Sequence, residues 1–176
     1  MEPRPDDVPK HFLNPCMIFV HRQEHLVSTV LGSCVSVCLW DPRMASGGIN
    51  HYMLPLWNGE GLATPKYGNI AIDVLIRKML ELGCSKERLL AKVFGGGNVL
   101  NAGNGLFPIG DRNVAIAQDL LLQHGIRIAA ADTGGTRGRK ILFNTRTGVI
   151  LMGKLGIEGT QPALPDGRPK NPNPFI

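Results

Sequence analysis

The sequence predicts an α+β fold. Short strand-like runs recur along the whole chain, and only two stretches carry a convincing helical period. The strands often follow one another directly, whereas a doubly wound sheet would alternate them with helices. With 176 residues the chain is expected to be a single domain over 1–176, long enough to bury a real core.

Residues 1 to about 13 combine three prolines with mixed charge and are expected to form a loosely ordered arm. Met17 to Val20 and Leu26 to Val30 read as short strands around the polar turn His21 to His25. His21 and His25 have the spacing of a metal pair on a helix, but their β-forming flanks place them in a surface turn. Val35 to Trp40 is a strand that Asp41-Pro42-Arg43 ends. The small residues Ala45 to Gly48 read as a connection, leading into a second extended run from Ile49 to Leu54. Residues 56–66, with Asn58-Gly59, Gly61 and Pro65, form a loop that closely follows His51.

Asn69 to Leu82 is the first helix, with Ile72, Leu75, Ile76, Met79 and Leu82 on one stripe and Gly83 as its stop. Leu89 to Phe94 is a buried strand that runs into Gly95-Gly96-Gly97-Asn98. This turn lacks the Gly-Lys-Ser/Thr of a phosphate-cradling loop, so it reads as a tight turn or a close backbone approach. Residues 101–107 are loop. Asp111 to His124 is the second helix, with Asp111 or Asn113 as its N-cap and Gly125 as its stop. Ile126 to Ala131 is a strand, and 132–139 is a glycine-rich connection. Lys140 to Asn144 and Gly148 to Met152 form a hairpin about Thr145-Arg146-Thr147. From about 158 to 176 a proline-rich tail has no core-forming pattern.

Composition narrows the function classes. No run approaches the roughly 18 apolar residues of a membrane helix, and the acidic, proline-containing N-terminus is no signal peptide, so no membrane insertion and a cytoplasmic address are expected. Under that expectation Cys16, Cys34, Cys38 and Cys84 are reduced thiols rather than a disulfide framework. The net charge of +5 is mild, and its one cluster, Arg137-Gly138-Arg139-Lys140, reads as a solvated turn sooner than a phosphate site. No nucleic acid partner is expected.

The chemistry concentrates in Thr29 to Pro55. A cysteine follows Gly32-Ser33, a histidine follows Gly47-Gly48 by three residues, and an apolar run follows each. Neighbouring strands joined in this way bring the Cys34 thiol beside the His51 imidazole. A free thiol is only a few per cent thiolate near neutrality, and an adjacent imidazole takes its proton. A third polar group fixes the ring's tautomer, and Thr29 and Ser28 are the nearest hydroxyls. Gly32 and Ser33 let a substrate approach the backbone and offer amide N–H groups to an oxyanion. The competing reading is a buried core cysteine.

L-G-S-C-V at 31–35 and G-G-x-N-H-x-M-L-P at 47–55 resemble the signature of the CheD family, the chemoreceptor glutamine deamidases. F-G-G-G-N at 94–98, I-G-D-R-N at 109–113, and D-T-G-G-T-R-G-R-K at 132–140 with Phe143 and Thr147-Gly148 resemble further family blocks in the same order. The resemblance implies a layered fold, with a central mixed or antiparallel β core flanked by two or three helices. It implies hydrolysis of receptor glutamine side chains to glutamate, with ammonia released and no metal or organic cofactor. Cys34 takes the nucleophile's place, His51 the general base's, and Thr29 that of the upstream threonine, with Ser28 as the alternative. The implied partners are the helical cytoplasmic regions of methyl-accepting chemotaxis receptors, and a CheC-type phosphatase that some members bind. Other readings are a non-catalytic partner of such a phosphatase, a cysteine hydrolase of small amides or esters, and a phosphate binder using 95–98 and 134–140.

Overall fold

The computed structural model describes residues 8–99 and 108–156. It contains two sheets. A four-stranded sheet has the order β1 (Lys10–Phe12), β3 (Leu26–Leu31), β8 (Arg139–Asn144), β9 (Ile150–Lys154). A five-stranded sheet has the order β2 (Ile18–Val20), β5 (Ser46–Asn50), β4 (Val35–Asp41), β6 (Leu90–Gly95), β7 (Arg127–Thr133). Most pairs are antiparallel; β1 with β3 and β6 with β7 are parallel. Helices α1 (Gly68–Glu81) and α2 (Ile109–Gln123) both cover the five-stranded sheet. The expected α+β layered fold is thus present, as helices, sheet and sheet.

Two cores follow from strand alternation. On β4, Val35, Val37 and Leu39 face the helices and pack with Ala71, Ile72, Leu75 and Met79. Cys38, on the other face, joins Val27 and Leu31 of β3 and Ile141 and Phe143 of β8 in the layer between the sheets. Cys34 and Phe94 border this second core. Because β4 is buried on both faces, it reads as a continuous apolar run.

The helices lie close to their expected positions, and Gly83 and Gly125 terminate them with positive φ, 104° and 69°. Asp111 and Asn113 do not cap α2. Pro108 occupies the N-cap, and Asn113 lies inside the helix, fully buried. A short 3-10 helix, Lys86–Arg88, was not anticipated.

β9 runs over Ile150–Lys154, two residues later than the expected Gly148 to Met152, and two other strands differ more. The second run begins earlier and ends earlier, as β5 over Ser46–Asn50, and Tyr52 and Leu54 form only isolated bridges. Its Gly-Gly pair has little strand propensity. Glycine is needed because β5 is squeezed between layers: a Cβ on Gly47 would stand 2.7 Å from Phe143 of the opposing sheet, and one on Gly48 2.6 Å from Val20 and 3.0 Å from Leu75. The other difference is β1, which lies within the arm expected to be loose. Its three residues pair with β3, and Leu13 just after it is buried. Residues 1–7, the loop 101–107 and the tail from 158 lie outside the described residues.

The crowding at β5 makes a measurable prediction. Gly48→Ala should destabilise the protein by about 1–3 kcal/mol through overpacking against α1 and β2. Urea denaturation of the variant with an unchanged midpoint would show that the layers yield there.

Candidate active site

The chain crosses from one sheet to the other at Gly32-Ser33-Cys34, between the end of β3 and the start of β4. Just beyond β5, the backbone of Tyr52 pairs with Val35, N–H to O, at 3.0 and 3.1 Å. That bridge sets the register of the two segments. Cys34 stands opposite Met53, and His51 opposite Ser36, so Cys34 and His51 are diagonal neighbours on one face, with no hydrogen bond joining Cys34 Sγ to His51 Nε2. The face is the one turned toward the four-stranded sheet.

From that sheet comes Thr29. Val27, Thr29 and Leu31 alternate inward on β3, while Ser28 lies on the outer face. Thr29 Oγ1 is 2.8 Å from His51 Nδ1 and 2.8 Å from the Leu13 carbonyl oxygen. The carbonyl only accepts, so the single hydroxyl proton goes to Leu13. Oγ1 therefore accepts from Nδ1–H, and the imidazole lone pair is left on Nε2. Thr29 and His51 are 0% and 1% exposed, and Nε2 has no hydrogen-bond partner among the described residues. Of the two hydroxyls left open by the sequence, Thr29 is the one that meets the ring.

Electrostatics define the resting state. Burial drives His51 down to about 4 from an ordinary 6.5. Burial raises the Cys34 thiol, the neighbouring Cys16 thiol raises it further, and its own backbone N–H opposes both. Thiol and imidazole are accordingly both neutral near pH 7. Cys38 lies fully buried between the sheets and is raised much further by desolvation.

The turn carrying Cys34 is held from behind. Gly97 N–H donates to Gly32 O and Gly96 N–H to Cys34 O, each at 2.8 Å. Asn113 Nδ2 donates to Ser33 O at 3.0 Å and to Met53 O at 2.9 Å. Gly95 lies so close that a Cβ would fall 2.1 Å from Cys34 O, at a φ of 113° where side chains are already disfavoured. Gly110 at the start of α2 abuts Gly96. Gly32, by contrast, has room for a Cβ, so the strict glycines of this turn are supplied by the 95–97 segment.

The rim combines sulfur and apolar groups. Cys16, at a φ of 66°, donates its N–H to His51 O at 2.7 Å, and its Sγ lies 3.5 Å from Met53 Sδ. Met17, Met53 and Leu56 are exposed nearby in sequence and register. The 132–139 connection closes on the glycine turn through Gly134 N–H to Gly95 O and Asn98 N–H to Gly135 O. Arg139, expected in a solvated turn, is buried against Asp132 at 2.6 Å, and Arg137 Nε donates to Leu155 O. Arg139 is therefore committed inside the protein, while Arg137 stays exposed. His21 and His25 sit in a turn with their rings 4.6 Å apart. Among the described residues no group of three or more His, Cys, Asp or Glu side chains is placed to hold a metal ion.

Comparison with known proteins identifies the family. The family model described as "CheD chemotactic sensory transduction" matches residues 53–154. The chain belongs to the CheD family. A relative from Trichlorobacter lovleyi is 54% identical over 145 residues, covering 82% of this chain and 90% of its own length. One from Sulfurimonas denitrificans is 47% identical, over 81% of this chain and 92% of its own length. One from Bordetella petrii is 43% identical, over 76% and 60%. All three carry the name "Probable chemoreceptor glutamine deamidase CheD". The family match begins after His51, so the roles of Thr29, Cys34 and His51 rest on the motifs and the geometry.

Several contributors were not visible in the sequence. The Leu13 carbonyl belongs to a segment read as a loose arm, and a backbone oxygen carries no sequence signal. Asn113 stands in the I-G-D-R-N block, but locally it reads only as a cap candidate. Cys16 was merely counted among the thiols.

The buried ring makes stability pH-dependent. Unfolded His51 titrates near 6.5 and folded His51 near 4, so between these the unfolded chain binds more protons and stability falls as pH drops. About 3 kcal/mol should be lost across that window. Urea midpoints measured from neutrality downward should show this slope in the wild type and lose it in His51→Gln; equal slopes would contradict the assignment.

Proposed function

We propose that this protein is a chemoreceptor glutamine deamidase, with Cys34 as nucleophile, His51 as general base and acid, and Thr29 orienting the imidazole. The observation that carries the reading is the Thr29–His51 contact: the threonine proton is used on Leu13 O, which leaves the basic Nε2 on the face it shares with Cys34. The family's relatives bear the corresponding name.

The chemistry follows from the neutral resting pair. As Cys34 Sγ attacks the glutamine carboxamide carbon, His51 Nε2 takes the thiol proton. The oxygen becomes negative and is met by backbone N–H groups of the Gly32 to Cys34 turn. The imidazolium gives its proton to the amide nitrogen, which leaves as ammonia, and a thioester remains. Water then attacks the thioester, loses a proton to Nε2 and expels Cys34, releasing glutamate. No step needs a metal or an organic cofactor. Gly32 and Ser33 support the site through their backbone, with both carbonyls tied down.

The substrate is the helical cytoplasmic region of a methyl-accepting chemotaxis receptor. Exposed Met53, opposite Cys34, with exposed Met17 and Leu56 near it in register and sequence, suits an apolar helix face flanking the target glutamine. The single-domain organisation over 1–176 belongs to the same reading. No helix among the described residues is long and apolar enough to cross a membrane.

Intact-mass analysis of a receptor cytoplasmic fragment tests the proposal. Wild type should add one glutamine-to-glutamate mass increment per site, and a folded Cys34→Ala variant none; activity surviving in that variant would remove Cys34 as nucleophile. Thr29→Val should lower kcat about 100-fold, and Thr29→Ser should keep most of it, because only the hydroxyl orients the ring. The family resemblance also carries a CheC-type phosphatase as a second partner. Binding and stimulation of such a phosphatase by Cys34→Ala would separate that role from deamidation.

A further inference from the structure

We propose that Asn113 is a positioning residue for the reaction: its carboxamide locks the Ser33–Cys34 peptide against the Met53 segment, and so aims the Cys34 N–H at the developing oxyanion. This rests on the reading of Cys34 as the nucleophile and adds a residue to it.

Asn113 is out of place as a helix residue. It lies inside α2, completely buried, where asparagine is a poor helix former and needs a reason to be retained. Its Nδ2 supplies that reason. It bridges Ser33 O and Met53 O, which flank the Val35–Tyr52 bridge and therefore lie on either side of the Cys34–His51 face. Both partners are carbonyl oxygens, so the atom facing them must be the amino nitrogen and not Oδ1. The Tyr52 hydroxyl donates to the backbone carbonyl of Asn113 at 2.6 Å. Asn113 Oδ1 is buried without a partner among the described residues. An orphaned acceptor costs about 1–3 kcal/mol, so packing alone does not account for an asparagine here.

The consequence for chemistry comes from peptide planarity. In a trans peptide the C=O and the N–H point in opposite directions. Asn113 holds the Ser33 carbonyl toward α2, so the Cys34 N–H must point away from α2. Gly97 N–H does the same for the Gly32–Ser33 peptide, and Gly96 N–H holds the Cys34 carbonyl. Three successive carbonyls are thus pinned from behind, and Asn113 is the only side chain among these donors.

The test uses full-length wild type, Asn113→Ala and the isosteric Asn113→Asp, with circular dichroism to establish folding. Three quantities are read: kcat and KM for deamidation of a receptor fragment; the affinity for a peptide aldehyde in which the glutamine carboxamide is replaced, whose adduct with Cys34 places an oxyanion in the site; and the rate at which iodoacetamide alkylates Cys34, which needs no oxyanion. In the folded variants kcat and aldehyde affinity should fall about 100-fold, with KM and the alkylation rate within about threefold of wild type. Variants matching wild type in kcat and aldehyde affinity, or changed in KM alone, would overturn the role. If neither variant folds, wild type with isotope-labelled asparagine carries the test. Slowly exchanging Asn113 side-chain protons that shift on adduct formation support the proposal, and freely exchanging, unshifted ones overturn it. A wild type that neither deamidates receptor fragments nor binds the aldehyde overturns the deamidase reading itself, and this proposal with it.

Discussion

The Thr29 hydroxyl joins three parts of the molecule that are distant in sequence. It gives its proton to the Leu13 carbonyl after β1 and receives one from His51 beyond β5, while its own strand is the second of the four-stranded sheet. The contact crosses the layer between the sheets, where water is excluded and a hydrogen bond is electrostatically stronger than in solvent. Because the hydroxyl has one proton, its two partners determine each other: Leu13 takes the proton, so the imidazole must donate at Nδ1. The ring's chemistry at Nε2 is therefore set by the docking of an N-terminal strand.

The same burial that fixes the tautomer makes the site reluctant to carry charge. His51 is held far below its ordinary value and Cys34 above its own, so neither ionises at rest. A charged pair would be attacked readily by oxidants and alkylators. In the proposed reaction a neutral pair holds its reactivity until an electrophilic carbon arrives. The cost is that charge must be stabilised when it forms, which gives the tightly held Ser33–Cys34 backbone its importance.

Close approach between backbones explains where the glycines stand. Gly47 and Gly48 let β5 lie between the opposing sheet and α1, and Gly95 lets β6 reach the Cys34 carbonyl. The motif blocks scattered through the chain are brought together by these contacts. The 94–98 and 109–113 blocks both end on the turn that carries Cys34, through the Gly96 and Gly97 amides and the Asn113 side chain.

Local pattern was enough for much of the protein. The apolar run of Val35 to Trp40, the stripe of Ile72, Leu75, Ile76 and Met79, and the stop signals at Gly83 and Gly125 are all local regularities, and each is readable without knowing the fold. So are the identities of Cys34 and His51, which stand in recognisable motifs. Tertiary structure alone decided the rest. Ser46 to Asn50 is a strand because two layers press on it, against the propensity of its glycines. Thr29 rather than Ser28 meets His51 because of which face of β3 turns inward. Leu13 O and Asn113 enter the site because of distances across the two sheets and from α2. Hydrogen-bond direction and steric approach depend on where remote segments lie in space, and a one-dimensional pattern carries no information about those distances.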